Sequence, residues 1–236
     1  MTQVQETKDI YEKIMEEMKK RIVGNDNVIE LMFASLLSGG HVLLEGVPGI
    51  AKTLMASTLA EVIEVGFKRI QFTSDLMPAD ITGGNIYDRE TSSFNFIEGP
   101  VFTNVLLADE INRSPPKTQS ALLEAMQEKQ VSIGKTTYPL PEPFMVIATQ
   151  NPIESTGVYP LPEAQIDRFL VKIPVYPPTL IGEVNMLLKK KEEMFADVDA
   201  ITKKETIMKL SETIEKNVII SNQIIEYIAK LVVATR

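Results

Sequence analysis

Two short stretches carry residue types whose spacing could do chemistry. Gly46-Val47-Pro48-Gly49-Ile50-Ala51-Lys52-Thr53 follows a short apolar run and opens a helix-compatible stretch, which is where a phosphate-binding loop must lie. Its backbone N–H groups and the helix N-terminus, through Leu54, can surround phosphates. Lys52 can reach the outer ones, and the Thr53 hydroxyl can hold Mg²⁺. Ala51 stands where glycine usually precedes the lysine. It is expected to begin the helix at an ordinary negative φ, so that its methyl fits and its N–H donor survives. A Gly/Pro turn with an incidental lysine is the alternative.

The second stretch is Val105-Leu106-Leu107-Ala108-Asp109-Glu110, an apolar strand ending in two acids. Asp109 would hold the magnesium ion, directly or through water, and Glu110 would orient and deprotonate an attacking water. Two acids closing a strand at a loop are common by themselves. Downstream of a phosphate loop in an α/β frame they become specific.

These residues need a frame, and the apolar pattern supplies one. Val42 to Leu44, Phe67 to Thr73, Val105 to Ala108, Phe144 to Ala148 and Phe169 to Ile173 read as strands alternating with helices. Nearly continuous apolar strands of that kind indicate a doubly wound, parallel five-stranded sheet covered on both faces. Ile10, Ile14, Met18 and Ile22 recur every four positions and mark an amphipathic helix from Asp9 to Ile22, with a second helix from Asp26 to Leu37. Ser114 is expected to cap a helix running to about Glu128, with Pro115 in its first turn. Two segments of alternating arms, Ile86-Tyr87 with Phe94 to Phe96, and Val131 to Ile133 with Thr137-Tyr138, read as projecting hairpins. Beyond Tyr176-Pro177-Pro178 the pattern is helical only. The expected division is residues 1–176 as an α/β nucleotide-binding domain and 177–236 as a helical part.

Composition narrows the classes. The chain has 236 residues, no Cys, one His and a net charge of −8. There is no disulfide frame, no Cys-ligated metal and no thiol nucleophile, and any Ser-His-Asp triad would depend on His41, which reads as structural. The acidic balance and the plain hairpin tips oppose a duplex-DNA grip, making nucleic acid an unfavoured partner. No run approaches the length of a membrane span and the N-terminus lacks the order of a signal peptide, so a cytoplasmic setting is expected.

The order of the motifs resembles one family. Gly40-His41-Val42-Leu43-Leu44-Glu45-Gly46-Val47-Pro48-Gly49, Asp109-Glu110-Ile111-Asn112-Arg113, Gln119 to Met126, Ala148-Thr149-Gln150-Asn151-Pro152 and Glu163 to Phe169 together resemble the MoxR family of AAA+ ATPases, over nearly the whole chain. The resemblance implies ATP and Mg²⁺ as ligands, ATP hydrolysis, and a homo-oligomeric, hexameric ring. Also implied are a protein client to be remodelled or activated and a partner carrying a von Willebrand factor A domain. It makes Asn151 a sensor that positions water near the γ-phosphate, and Arg168 an arginine finger donated to the neighbouring subunit. Arg113 would be a further contact across the subunit interface, and Ile22 and Val23 would line the adenine. The two hairpins correspond to insertions of the AAA+ branch that includes magnesium-chelatase subunits and minichromosome-maintenance helicases. The residues alone leave alternatives open: Asn151 as an Asn-Pro turn former, Arg168 paired with Asp167, Arg113 bridged within its loop, and Ile22 as a helix end in the core. The family's second sensor arginine has no match before Arg236, so a shortened lid with weakened hydrolysis is expected. A nucleic-acid translocase, or a nucleotide-binding module with little turnover, are the competing readings.

Overall fold

The computed structural model describes residues 3–90, 92–153, 157–191 and 197–235. Helices α1 (Gln3–Arg21) and α2 (Asp26–Leu37) lead into β1 (Val42–Glu45), α3 (Lys52–Val62), β2 (Phe67–Gln71) and the short α4 (Pro78–Thr82). A hairpin of β3 (Gly83–Asp88) and β4 (Ser93–Glu98) precedes β5 (Val105–Asp109), a 3-10 turn (Ile111–Arg113) and α5 (Pro116–Glu128). A second hairpin, β6 (Gln130–Ile133) and β7 (Thr136–Pro139), precedes β8 (Met145–Gln150), α6 (Glu163–Ile166) and β9 (Val171–Pro174). Then follow α7 (Leu180–Lys191), α8 (Lys204–Asn217) and α9 (Asn222–Ala234).

The five apolar strands form one parallel sheet in the order β2-β5-β8-β1-β9. Side chains alternate across it. Val42, Leu44, Val105, Leu107, Met145 and Ile147 face a core shared with α1, α2 and α3, whereas Leu43, Leu106, Ala108, Val146 and Ala148 face one built with α5, Ile81 of α4 and the loop around Leu161. Burial on both faces is what turns such strands into unbroken apolar runs. Val198, Ile201, Ile207 and Leu210 join the first core, so the start of α8 packs on the α/β part. In contrast, Ile224, Ile225, Ile228, Leu231 and Val232 stand exposed along α9. Arg236 lies outside the described residues.

The order of strands places β8 between β1 and β5, so the chain ends of β1 and β5, which carry the loop and the acids, flank the end of β8. Both hairpins form as expected, and they touch each other through Phe96 stacked on Tyr138, ring centroids 4.0 Å apart.

Two local expectations need correction. Helix α1 begins near Gln3 rather than Asp9, because Val4 and the polar residues after it do not interrupt helical backbone; the apolar stripe marks the buried face, not the limits of the helix. Ser114 is not the cap of α5. Pro115 occupies that position and Pro116 the first turn, while the Ser114 hydroxyl donates to Ile111 O at 3.2 Å and closes the preceding 3-10 turn. Proline at the first helical position loses no bond, which lets the start move by one residue.

His41 sits at the mouth of β1 with structural bonds on both nitrogens. Its Nδ1 accepts the Val146 N–H at 3.0 Å and its Nε2 lies 3.2 Å from Met126 O, the pattern of a neutral ring protonated on Nε2. Burial lowers its pKa from 6.5 to about 4. The unfolded chain therefore takes up a proton as pH falls below 6.5 while the folded chain resists until about pH 4, so stability is full above this window and is lost through it. Denaturant titrations at pH 7.5 and 4.5 should show His41 costing about 2 to 3 kcal/mol of stability at the lower pH. A His41→Gln variant should lack that component of the pH slope; an unchanged slope would refute the assignment.

Candidate functional site

The loop after β1 is shaped by contacts that demand particular residues. A Cβ on Gly46 would lie 2.5 Å from Ile50 Cδ1 and 2.7 Å from Val175 O, so only glycine lets the chain pass between the loop and the strand end. Gly49 has φ +84°, a left-handed turn that glycine takes freely. Val47 and Ile50 anchor the loop in the first core, while Pro48 and Gly49 are exposed.

Ala51 contradicts the sequence expectation. It has φ 61°, ψ 19° and is the residue before the helix, not its first turn. The chain must reverse hand between the loop and α3, and the left-handed step falls on this position, which explains why glycine is usual there; for alanine it costs about 1 to 2 kcal/mol. The helix then starts at Lys52 with no side chain capping its first N–H groups. Those of Lys52, Thr53 and Leu54 have no partner within the helix, and an anion satisfies such a set.

Lys52 is 9% exposed. Its Nζ donates to Gly46 O at 2.6 Å, folded back across the loop. Burial lowers its pKa, and the neighbouring charges of Asp109 and Glu110 oppose that shift. The lysine of the β1 loop and the acids of β5 thus share one electrostatic site.

Thr149, at the end of the intervening strand β8, knits the acids together. Its hydroxyl donates to Asp109 Oδ1 at 2.6 Å and accepts the Glu110 N–H at 2.8 Å. Thr149 has no exposed surface. The other carboxylate oxygen, Asp109 Oδ2, accepts Arg69 Nη2 at 2.6 Å and Nε at 3.2 Å. Glu110 Oε2 accepts Gln71 Nε2 at 2.7 Å and Arg113 Nη1 at 2.9 Å.

Sequence reasoning passed over Arg69, Gln71 and Thr149. The available signal was two polar residues at i and i+2 on β2, which share one face of the strand. With β2 paired to β5 in the register Gln71↔Asp109, that face looks onto the acids.

The remaining expected residues fall at varying distances from this centre. Arg113 is bridged to Glu110 within its loop. Asn151 follows the last residue of β8, 7% exposed, with its Oδ1 accepting the Ile153 N–H at 3.2 Å; it forms the local turn that an Asn-Pro pair favours. Ile22 is in the core at 3% exposure, in the cluster that holds Ile50 and Val175, and Val23 beside it is half-buried. Arg168 is not paired with Asp167. It lies against α5, with Nη1 donating to Leu123 O at 3.3 Å and to Gln127 Oε1, and these bonds lead away from the loop and the acids.

Among the described residues no group of three or more His, Cys, Asp or Glu could hold a metal ion. A cation at Thr53 and Asp109 would need oxygens from elsewhere, and phosphate supplies them; Mg²⁺ prefers one or two protein oxygens plus phosphate and water. The cradle, the uncapped helix start and this sparse donor set all fit a metal-bound polyphosphate.

A parallel sheet with a glycine-shaped loop after one strand and paired acids after the next but one is the frame of a P-loop nucleotide-binding protein. Residues 41–171 match the family described as "ATPase family associated with various cellular activities (AAA)". The chain is 50% identical over 231 residues to Chaperone MoxR1 of Mycobacterium tuberculosis, an alignment covering 95% of this chain and 59% of that protein. It is 46% identical over 225 residues to the uncharacterised protein YeaC of Bacillus subtilis, covering 95% and 70% respectively. The crystal structure of a candidate ATPase from Cytophaga hutchinsonii superposes with a TM-score of 0.90 at 46% identity, across 99% of this chain and 71% of that one. The chain belongs to the MoxR family of AAA+ ATPases. Among the described residues no single helix is long and apolar enough to cross a membrane.

Proposed function

We propose that this chain binds ATP with Mg²⁺ and hydrolyses it to drive remodelling or activation of a protein client, as one subunit of a hexameric ring. The observation that carries the reading is the meeting of the β1 loop and the β5 acids at the end of β8, where the Gly46 N–H bonds Gln150 O and the Thr149 hydroxyl bonds both Asp109 and the Glu110 N–H. In this reading residues 1–176 hold the nucleotide and 177–236 belong to a helical lid. The N–H groups from Gly46 to Leu54 bind the phosphates. Lys52 leaves the Gly46 carbonyl to meet the outer phosphate oxygens. Thr53 and Asp109 hold the metal, with Thr149 fixing the Asp109 carboxylate in place. When bound, Mg²⁺ neutralises charge on the phosphate oxygens. Glu110 then takes a proton from the attacking water at its carboxylate, Asn151 helps to orient that water, Arg168 of a neighbouring subunit approaches the site across the interface, and Arg113 stays bridged to Glu110 in its own loop. In this reading Val23 lines the base, with Ile22 behind it. By the same reading the chain acts on a protein client, with a partner bearing a von Willebrand factor A domain, in the cytoplasm.

Titration calorimetry with ATP and MgCl2 tests the reading. Wild type should bind with one site per chain. Lys52→Ala should weaken binding by about 10- to 100-fold, the worth of a charge-assisted hydrogen bond or two in a partly buried site. Absence of binding by wild type, or equal binding by both, would overturn it.

A further inference from the structure

The Asp109 carboxylate offers two oxygens, and both are engaged. Oδ1 is held by the Thr149 hydroxyl at 2.6 Å, and Oδ2 by Arg69 through Nη2 at 2.6 Å and Nε at 3.2 Å. The two partners are unequal. Thr149 has no exposed surface and also accepts the Glu110 N–H, so displacing it would strand two groups in the interior. The Arg69 side chain is 48% exposed and that of Asp109 13%, so Arg69 can swing into water at small cost.

We propose that Arg69 is a positioning residue that occupies the metal-holding oxygen of Asp109, and that Mg²⁺ must displace it to bind. The inference rests on the nucleotide-binding reading above. Oδ2 has about two lone-pair directions, and Arg69 fills both through Nη2 and Nε, so a dication that takes this oxygen as a ligand meets a like charge already seated there. Among the described residues no group of three or more His, Cys, Asp or Glu forms to hold the ion without Asp109. The displacement is also felt further on. Arg69 Nη2 donates to Gln71 Oε1 at 2.9 Å, which turns the Gln71 amide so that its Nε2 meets Glu110 Oε2 at 2.7 Å. Departure of Arg69 therefore removes the group that orients Gln71, and loosens the hold on Glu110 when the metal arrives.

The test is a MgCl2 titration of binding of the fluorescent nucleotide mant-ATP to wild type, Arg69→Met and Arg69→Lys, with a parallel series in EDTA. Arg69→Met should lower the half-saturating Mg²⁺ by about fivefold, the scale of one partly exposed ion pair, while metal-free binding stays level or weakens because a positive charge leaves the site. Arg69→Lys keeps a charge that can pair with Asp109 and should lie close to wild type. An unchanged Mg²⁺ dependence in Arg69→Met would overturn the proposal, and so would an equal shift in Arg69→Lys, which keeps the pairing charge. A second measurement does not depend on the variants. In a crystal structure of wild type with Mg-ADP, Arg69 Nη2 should stand more than about 4 Å from Asp109 Oδ2, beyond ion-pair range; persistence of the pair would overturn the proposal. If wild type binds no mant-ATP at all, the nucleotide-binding reading itself falls, an outcome distinct from an Mg²⁺ dependence that ignores Arg69.

Discussion

Glu110→Gln is expected to lower ATP turnover by about 10²- to 10⁴-fold, the usual contribution of a positioned general base, while leaving nucleotide binding intact or slightly tighter. The substitution keeps the shape of the side chain and one carbonyl oxygen. That oxygen can still accept from Gln71 and Arg113, the two donors now on Oε2. Residue 110 has φ 55°, a left-handed backbone whose cost is the same for Glu and Gln and cancels in the comparison. Its N–H keeps the bond to Thr149, so the Asp109 carboxylate stays where it is. What the amide cannot do is take a proton from water. Binding has reason to strengthen, because one negative charge leaves a site that must receive phosphate oxygens. Single-turnover hydrolysis measured beside calorimetric affinity separates the two effects. A variant that hydrolyses at the wild-type rate would remove Glu110 from the role of base.

The residues that were legible in advance share a property: their signal is local. Gly46 and Gly49 stand where the backbone passes too close or turns too sharply for a side chain, and such positions are written in residue type. The five sheet strands could be read because burial on both faces makes each an apolar run. The residues that were missed depend on pairing between distant segments. Arg69 and Gln71 are ordinary polar residues on β2 until the register sets Gln71 opposite Asp109. Gln127 is an ordinary solvent-side glutamine until Arg168, from 41 positions later, comes to rest on it. Ala51 was misread for a subtler reason. The sequence correctly marked the start of α3, but the hand of the residue before it depends on how the loop climbs from Gly49, and residue type alone pointed to the commoner conformation.

Arg168→Ala should lower turnover by about 10³-fold or more, in the range of arginine fingers supplied by a neighbour, and should do so without weakening nucleotide binding by the same chain. In this reading the site it serves is a neighbour's. Arg168 is held on α5 by Leu123 O and Gln127 Oε1, whereas the loop and acids gather at the ends of β1, β8 and β5, and none of the Arg168 bonds reaches them. Its loss should leave the fold close to wild type, since an exposed arginine joined to neutral acceptors contributes little to stability. Mixing distinguishes a role in the neighbour's site from one within the chain. Arg168→Ala and Lys52→Ala should each be inactive alone, the first lacking the finger and the second the phosphate contact. In a mixed head-to-tail ring, about a quarter of the interfaces join an intact loop to an intact arginine, and activity should reappear there and rise with total protein concentration. If the mixture stays as inactive as its components while its assemblies still form, Arg168 acts within its own chain, and the shared-site model of hydrolysis is wrong.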